Sequence, residues 1–298
     1  MALWRLNVKT DAKPGFDPFQ YCMAKSIAGV GWRVEDEVGG PPQNLEQYSE
    51  LGHVQYSEKG DKSWWPAFNV FGYRMAQGDL CWTRDSVGTY YLGRIGGPWM
   101  YLHGKEADNF DIHSVRPCHW QKVGLLDSVP GAVERSFAPA RTVQAINDPT
   151  TAEFSEYLYS KLVGEPSPPP PNARDLFALL SPLDHEDLAG LYLQADQNYV
   201  VVPSTVRPSG VGYEWVMFHR LTGEKAVLQV KSGHAAVDIM ALGKLDCLVF
   251  IVVADAHIDQ GAPKNVRFIQ RGTLLDFAMS TRSILPERIR RYLDWAGL

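Results

Sequence analysis

GYEWVMFHRLTGEKAVLQVKSG, residues 212–233, is the stretch whose reading decides the fold of the C-terminal half. It is rich in β-branched and aromatic residues on both sides of Thr222-Gly223-Glu224, a turn signal, so residues 213–221 and 226–231 read as a β-hairpin. Successive side chains of a strand alternate faces, which puts Gln229 and Lys231 on one face and Val230 on the other. Pairing brings Glu214, near the start of the first strand, toward Lys231, near the end of the second. A carboxylate, an amide and a lysine then converge at one end of a sheet. Carboxylate and carbonyl oxygens are the hard ligands that Mg²⁺ takes. A lysine beside them orients or activates a water and offsets phosphate charge, so the set suits metal-assisted phosphodiester hydrolysis. His219 lies at an odd offset from Glu214 and so on the opposite face, a packing or surface position. His234 reads as a cap or surface residue, and Ser232 has no His–Asp arrangement around it that would make it a nucleophile.

Working outward, helices are expected over 173–180 and 183–194, the second with Asp184 as its cap, and a strand over 199–203. After the hairpin come a helix over 235–242, an apolar strand over 245–254, a strand over 266–270 and a helix over 286–295. This order describes an α/β or α+β core around a buried central sheet. Upstream, Gly164-Glu-Pro-Ser-Pro-Pro-Pro-Pro-Asn172 forces an extended backbone without donors and reads as a stiff spacer. The expected division is therefore 1–164, a linker over 165–172, and 173–298.

The constellation Glu214…Gln229-Val230-Lys231 resembles the PD-(D/E)XK nuclease motif in its Mrr-like form, where Q-x-K replaces E-x-K. The resemblance covers most of 173–298. It implies a restriction-endonuclease-like core in which Glu214, the Gln229 side chain and the Val230 carbonyl hold Mg²⁺, with Mn²⁺ as a substitute, and Lys231 serves the water. It also implies a glutamate from the first core helix, for which Glu186 is the matching position and Asp187 its competitor. The family's usual residue at the second strand is Asp; this chain has Glu214, whose longer arm changes the metal distance.

The chain has 298 residues, 45% of them hydrophobic and 21% charged, enough apolar material for a core in each half. The formal charge is −5, which argues against a general polyanion-coating protein but not against a local basic cleft. Four cysteines without C-x-x-C spacing form neither a disulfide scaffold nor a zinc ribbon. The longest apolar run, residues 245–254, is too short to cross a bilayer as a helix, and residues 1–9 have no apolar stretch of signal-peptide length. The expectation is a cytoplasmic protein with no membrane partner.

The N-terminal half reads as many short strands, 3–8, 27–34, 80–85, 89–95 and 112–120, with helices over 17–25, 66–75 and 151–163. Gly88 marks a hairpin turn between the third and fourth strands. A small sheet or barrel with helices at its ends fits this pattern. Seven of nine tryptophans precede residue 121. Of the Trp64-Trp65 pair, one is expected buried and one exposed; Cys118-His119 has no ligand-spaced partner pair and reads as structural. An aromatic-walled pocket with a few polar groups can hold a flipped base by stacking and read its edge. The candidate walls are Trp32, Trp82 and Trp99, with Arg84 and Arg94 placed for phosphates or stacking, although tryptophans usually bury in cores. The segments 27–32 and 78–82 resemble the EVE/PUA-like superfamily of small barrels that bind modified bases, over about residues 1–140.

Together the two resemblances imply an α+β, two-domain molecule: a base-reading module joined to a metal-dependent DNA endonuclease. Modification-dependent, type IV-like restriction against phage follows that logic, with a homodimer as a route to cutting both strands. Two other readings stand beside it. One is a nucleic-acid-binding protein whose nuclease fold is inactive; the other is a nuclease effector whose first domain senses a nucleotide or a protein partner.

Overall fold

The computed structural model describes residues 1–36, 38, 40–167, 175–206, 212–231, 238–253 and 261–298, and of Lys231 and Val253 the backbone only. The expected helix starts at 173 and 235, the strand end at 254, Ser232 and His234 lie outside the described residues. The chain forms two compact units, Met1–Pro170 and Pro171–Leu298, which meet within the proline run. No helix among the described residues is long and apolar enough to cross a membrane.

In the first unit the order is β1 (Leu3–Leu6), α1 (Pro18–Lys25), β2 (Ile27–Val30), α2 (Leu45–Gly52), α3 (Trp64–Phe68), β3 (Leu80–Arg84), β4 (Tyr90–Ile95), β5 (Met100–Tyr101), α4 (Lys105–Phe110), β6 (Ser114–Gly124), α5 (Gly131–Ser136), β7 (Val143–Ala145) and α6 (Pro149–Val163). The seven strands run β2-β6-β4-β3-β1-β7, with β5 also on β6. The expected barrel is not closed: among the described pairings none joins β2 to β7, and the sheet is a curled half-barrel. Strand β2 stops four residues before its expected end because Trp32 takes a positive φ of 64°, which no strand accommodates. The helix expected over 66–75 begins at Trp64 and passes into a π-helical segment, Asn69–Arg74. Gly88, at φ 89°, turns β3 into β4 as a hairpin.

Two buried arginines tie irregular chain to this sheet. Arg5 on β1 is fully buried and donates from Nε to Ser136 O (2.9 Å) and from Nη2 to Pro139 O (3.3 Å). Arg116 on β6 donates to Phe71 O (2.9 Å), Gly72 O (2.9 Å) and Gly97 O (3.2 Å). Buried carbonyls left without donors are costly, so these side chains hold the α5 region and the π-helical segment in place. At the far side, α6 is capped by Asp148, which accepts from Thr151 N (2.6 Å), and ends at Gly164 with φ 76°.

The second unit comprises α7 (Leu176–Leu179), α8 (Pro182–Ala195), β8 (Tyr199–Val201), β9 (Trp215–His219), β10 (Lys225–Lys231), α9 (Ile239–Leu242), β11 (Leu248–Val253), β12 (Val266–Ile269), α10 (Arg271–Ser280) and α11 (Glu287–Ala296). Its sheet runs β12-β11-β10-β9-β8. Strands β8, β9 and β10 form an antiparallel meander, whereas β10, β11 and β12 are parallel. Strand β10 therefore lies at the centre, where parallel pairing requires a crossover. Val227, Val249, Ile251 and Val266 pack with Leu242 of α9 on one face. On the other face α8 presses so closely that a Cβ at Gly190 would stand 1.9 Å from the Trp215 ring.

The cap of α8 is Ser181, not Asp184. Ser181 Oγ accepts from Asp184 N, and the Asp184 carboxylate accepts from Ser181 N (2.8 Å), a reciprocal capping box. Asp184 is fully buried because Arg288 of α11 pairs with it, and Arg288 also pairs with Asp187. That ion cluster fastens α8 to α11.

Candidate functional site

The register of β9 on β10 sets Leu228 against Trp215 and Val227 against Val216. One step further, Glu214 N donates to Leu228 O (2.7 Å), which places Glu214 across from Gln229. Both side chains point to the face that α9 covers, opposite to Trp215 and α8. Gln229 is only 3% exposed, so its amide must be satisfied internally. Its Nε2 donates to Glu214 Oε1 (2.9 Å) and to Val230 O (3.0 Å). The three expected metal-holding groups thus meet around one amide nitrogen.

That arrangement has a direct chemical reading. Two oxygen acceptors, one of them anionic, converge on a point filled by N–H donors. A cation is the other species that such a point accepts. Turning the Gln229 amide by half a revolution exchanges its NH₂ for Oε1 and leaves three oxygens: carboxylate, amide and backbone carbonyl. This hard donor set fits Mg²⁺ or Mn²⁺, which commonly takes one or two carboxylates and leaves its other positions to water and substrate phosphate. Among the described residues no group of three or more His, Cys, Asp and Glu side chains could hold a metal. A single-carboxylate set of this kind lies outside that description.

Comparison of the chain with family models, with curated proteins and with solved structures returned no match.

Lys231 falls two residues after Gln229, its backbone in register with that of Val253 in β11. Glu186 lies on α8 one turn before Gly190, on the helix that covers the Trp215 face. Its competitor Asp187 is paired with Arg288. His219 contacts the Tyr199 ring at 5.1 Å, on the face away from Glu214.

In the first unit the expected pocket residues separate. Trp82 is fully buried, and its indole N–H donates to Ser155 Oγ of α6 (3.1 Å), so it is a core residue between sheet and helix. Arg94 pairs with Glu156 and lies 4.5 Å over the Tyr159 ring, which fastens α6 to β4. Arg84 is exposed at the end of β3, 4.8 Å over the Phe137 ring, on the rim of a hollow with Lys9 and Phe19. Trp99 is half-buried against Tyr48 at 5.3 Å, and its buried indole N–H has no hydrogen-bond partner. Trp32 lines a second cavity, of about 650 Å³, shared with Tyr56, Asp61, Asp108, Asp111 and His113.

The backbone of Trp32 is held hard. Tyr48 Oη donates to its carbonyl (2.8 Å), and its own indole N–H donates to Asp61 Oδ2 (3.2 Å). A left-handed aromatic residue fixed from two sides is a strained position that its surroundings impose. Sequence reading missed Asp61, Asp111 and His113, which come from two separate stretches. The available signal was Gly31: a Cβ there would meet Asp111 Oδ2 at 2.6 Å.

Proposed function

We propose that the protein is a Mg²⁺- or Mn²⁺-dependent DNA endonuclease whose first unit reads a modified base, in the manner of modification-dependent restriction. The observation that supports it most is the Gln229 amide joining Glu214 and the Val230 carbonyl on the central strand of a mixed sheet. When bound, the metal supplies Lewis-acid stabilisation of a scissile phosphate and a more acidic water. Glu214, Gln229 and the Val230 carbonyl hold it. Lys231 orients the attacking water and offsets phosphate charge. In the first unit the Trp32 cavity receives the base. Cutting both strands calls for two such sites, so the active species is a homodimer.

The test is cleavage of matched unmodified, cytosine-methylated, hydroxymethylated and glucosylated duplexes by the protein and its Lys231→Ala variant, with Mg²⁺ or Mn²⁺. The expected result is cutting of one modified class, abolished in the variant. Equal cutting of every duplex removes the base-reading half. No cutting in either metal, or cutting that survives in the variant, removes the nuclease assignment.

A further inference from the structure

The Trp32 cavity holds acceptors that the hydrogen bonds of the protein satisfy only in part. His113 is 1% exposed. Its Nδ1 lies 3.1 Å from Leu102 O, and because a carbonyl only accepts, Nδ1 carries the proton. Burial lowers the imidazole pKa from its ordinary value, which favours the neutral ring. Nε2 then presents a lone pair, and it faces Asp108 Oδ1 at 3.8 Å and Asp111 Oδ1 at 3.9 Å. Both separations exceed a hydrogen bond. Asp108 Oδ1 is buried and makes no hydrogen bond, although Arg33 Nη1 stands 3.4 Å away. Asp111 Oδ2 is already used by Asp11 N (2.9 Å).

Asp108 Oδ1, Asp111 Oδ1 and His113 Nε2 therefore line one cavity at separations too long for hydrogen bonds among themselves, with the Arg33 guanidinium beside Asp108. Unpaired buried acceptors are costly, and the ordinary remedy is a donor supplied from outside. The walls say what kind. Trp32 and Tyr56 are aromatic and line the same space, which suits a planar ring. Lys9 and Lys13 also line it and suit a phosphate. A planar ring with a phosphate on one side and a hydrogen-bond donor on its edge is a nucleotide. A keto edge would set carbonyl oxygens against these carboxylates; an amino group offers two protons to them.

We propose that this cavity selects nucleobases bearing an exocyclic amino group, which donates to Asp111 and Asp108 while the ring stacks on Trp32. The inference rests on the base-reading role of the first unit and assigns its specificity to residues that role did not name. A free nucleotide and a base within a strand share this chemistry.

The experiment is metal-free equilibrium binding to the full chain, followed by tryptophan fluorescence and calorimetry. Two ligand pairs each remove one amino group: dCMP against dUMP, and dGMP against dIMP. Sites built to hydrogen-bond a ligand N–H reject analogues lacking it strongly, so the amino-bearing member of each pair should bind at least about tenfold tighter. Asp111→Asn should erase that preference. Trp32→Gly, which keeps the positive φ and removes the ring, should weaken both members of each pair alike. Single-stranded oligonucleotides of dC and dU form a second arm: a stronger preference there identifies the strand as the ligand, and preference among mononucleotides alone identifies a free nucleotide. Equal binding within both pairs, or a preference that survives Asp111→Asn, overturns the proposal while leaving base reading intact. No binding of any mononucleotide or oligonucleotide overturns both.

Discussion

The two units solve the burial of polar groups in opposite ways. In the second unit the buried charges Arg288 and Asp184 are paired with each other, with the partly exposed Asp187 also on Arg288, and the candidate site arises from strand register alone. In the first unit the fully buried cation, Arg5, has no carboxylate among its hydrogen-bond partners, which are backbone carbonyls and the Gln144 amide oxygen. Arg116 does the same for the π-helical segment. One unit builds its site from regular structure; the other uses a regular sheet to anchor irregular chain, and the cavity forms from the anchored pieces. A site made by register tolerates little change in the sheet. A site made by anchored loops depends on the anchors.

Breaking the charge pairing gives the largest expected effect. Arg288→Met leaves Asp184 buried without its cation and should cost about 3–5 kcal/mol of second-unit stability, read by chemical denaturation. A loss under about 1 kcal/mol would mean that the ion cluster does not fasten α8 to α11. Removing the carbonyl anchor comes next. Arg5→Met should destabilise the first unit by about 2–3 kcal/mol, since the Ser136 and Pro139 carbonyls lose their donors. It should also weaken nucleotide binding at the Trp32 cavity if the anchored chain shapes that cavity, and a variant that binds as before would sink this part of the comparison.

How much of this was legible in the sequence follows the same contrast. The hairpin of β9 and β10 was readable because alternation and the Gly223 turn are local properties, and its parity correctly separated His219 from Glu214. The split of Trp64 and Trp65 was readable too: the first is fully buried and the second 44% exposed. The walls of the first-unit pocket were not. Trp82 and Trp32 look equally suited in sequence, yet Trp82 sits on a strand paired on both sides and covered by α6, whereas Trp32 leaves its strand at a positive φ. His113 and Asp111 meet Trp32 only through the pairing of β2 with β6, which no local pattern encodes. The α8 cap was misread by three residues because Asp184 fills both roles of a good cap: it accepts a backbone N–H, and it bears charge near the helix start. The sheet-or-barrel expectation is met by a curled half-barrel, since strand count does not determine closure.

Smaller effects sharpen the comparison. Gly190→Ala places a methyl into the Trp215 ring and should cost about 1–3 kcal/mol by overpacking. Because Trp215 adjoins Glu214, metal affinity should fall with it; unchanged affinity would show that the α8 face and the site face are uncoupled. Gln229→Glu replaces the bridging amide with a second carboxylate. Without metal it sets two carboxylates against each other and lowers stability, whereas with Mn²⁺ it should tighten binding by about tenfold, equivalent to about 1.4 kcal/mol.

The most direct test of the register-built site is a Mn²⁺ titration of the full chain and its Glu214→Gln variant, followed by electron paramagnetic resonance. Glutamine keeps an oxygen for the Gln229 amide, so the hairpin is preserved while the only carboxylate of the set is removed. One site present in the parent and missing in the variant is the predicted result. Equal stoichiometry and affinity in both would contradict the assignment of Glu214, Gln229 and the Val230 carbonyl as a metal centre.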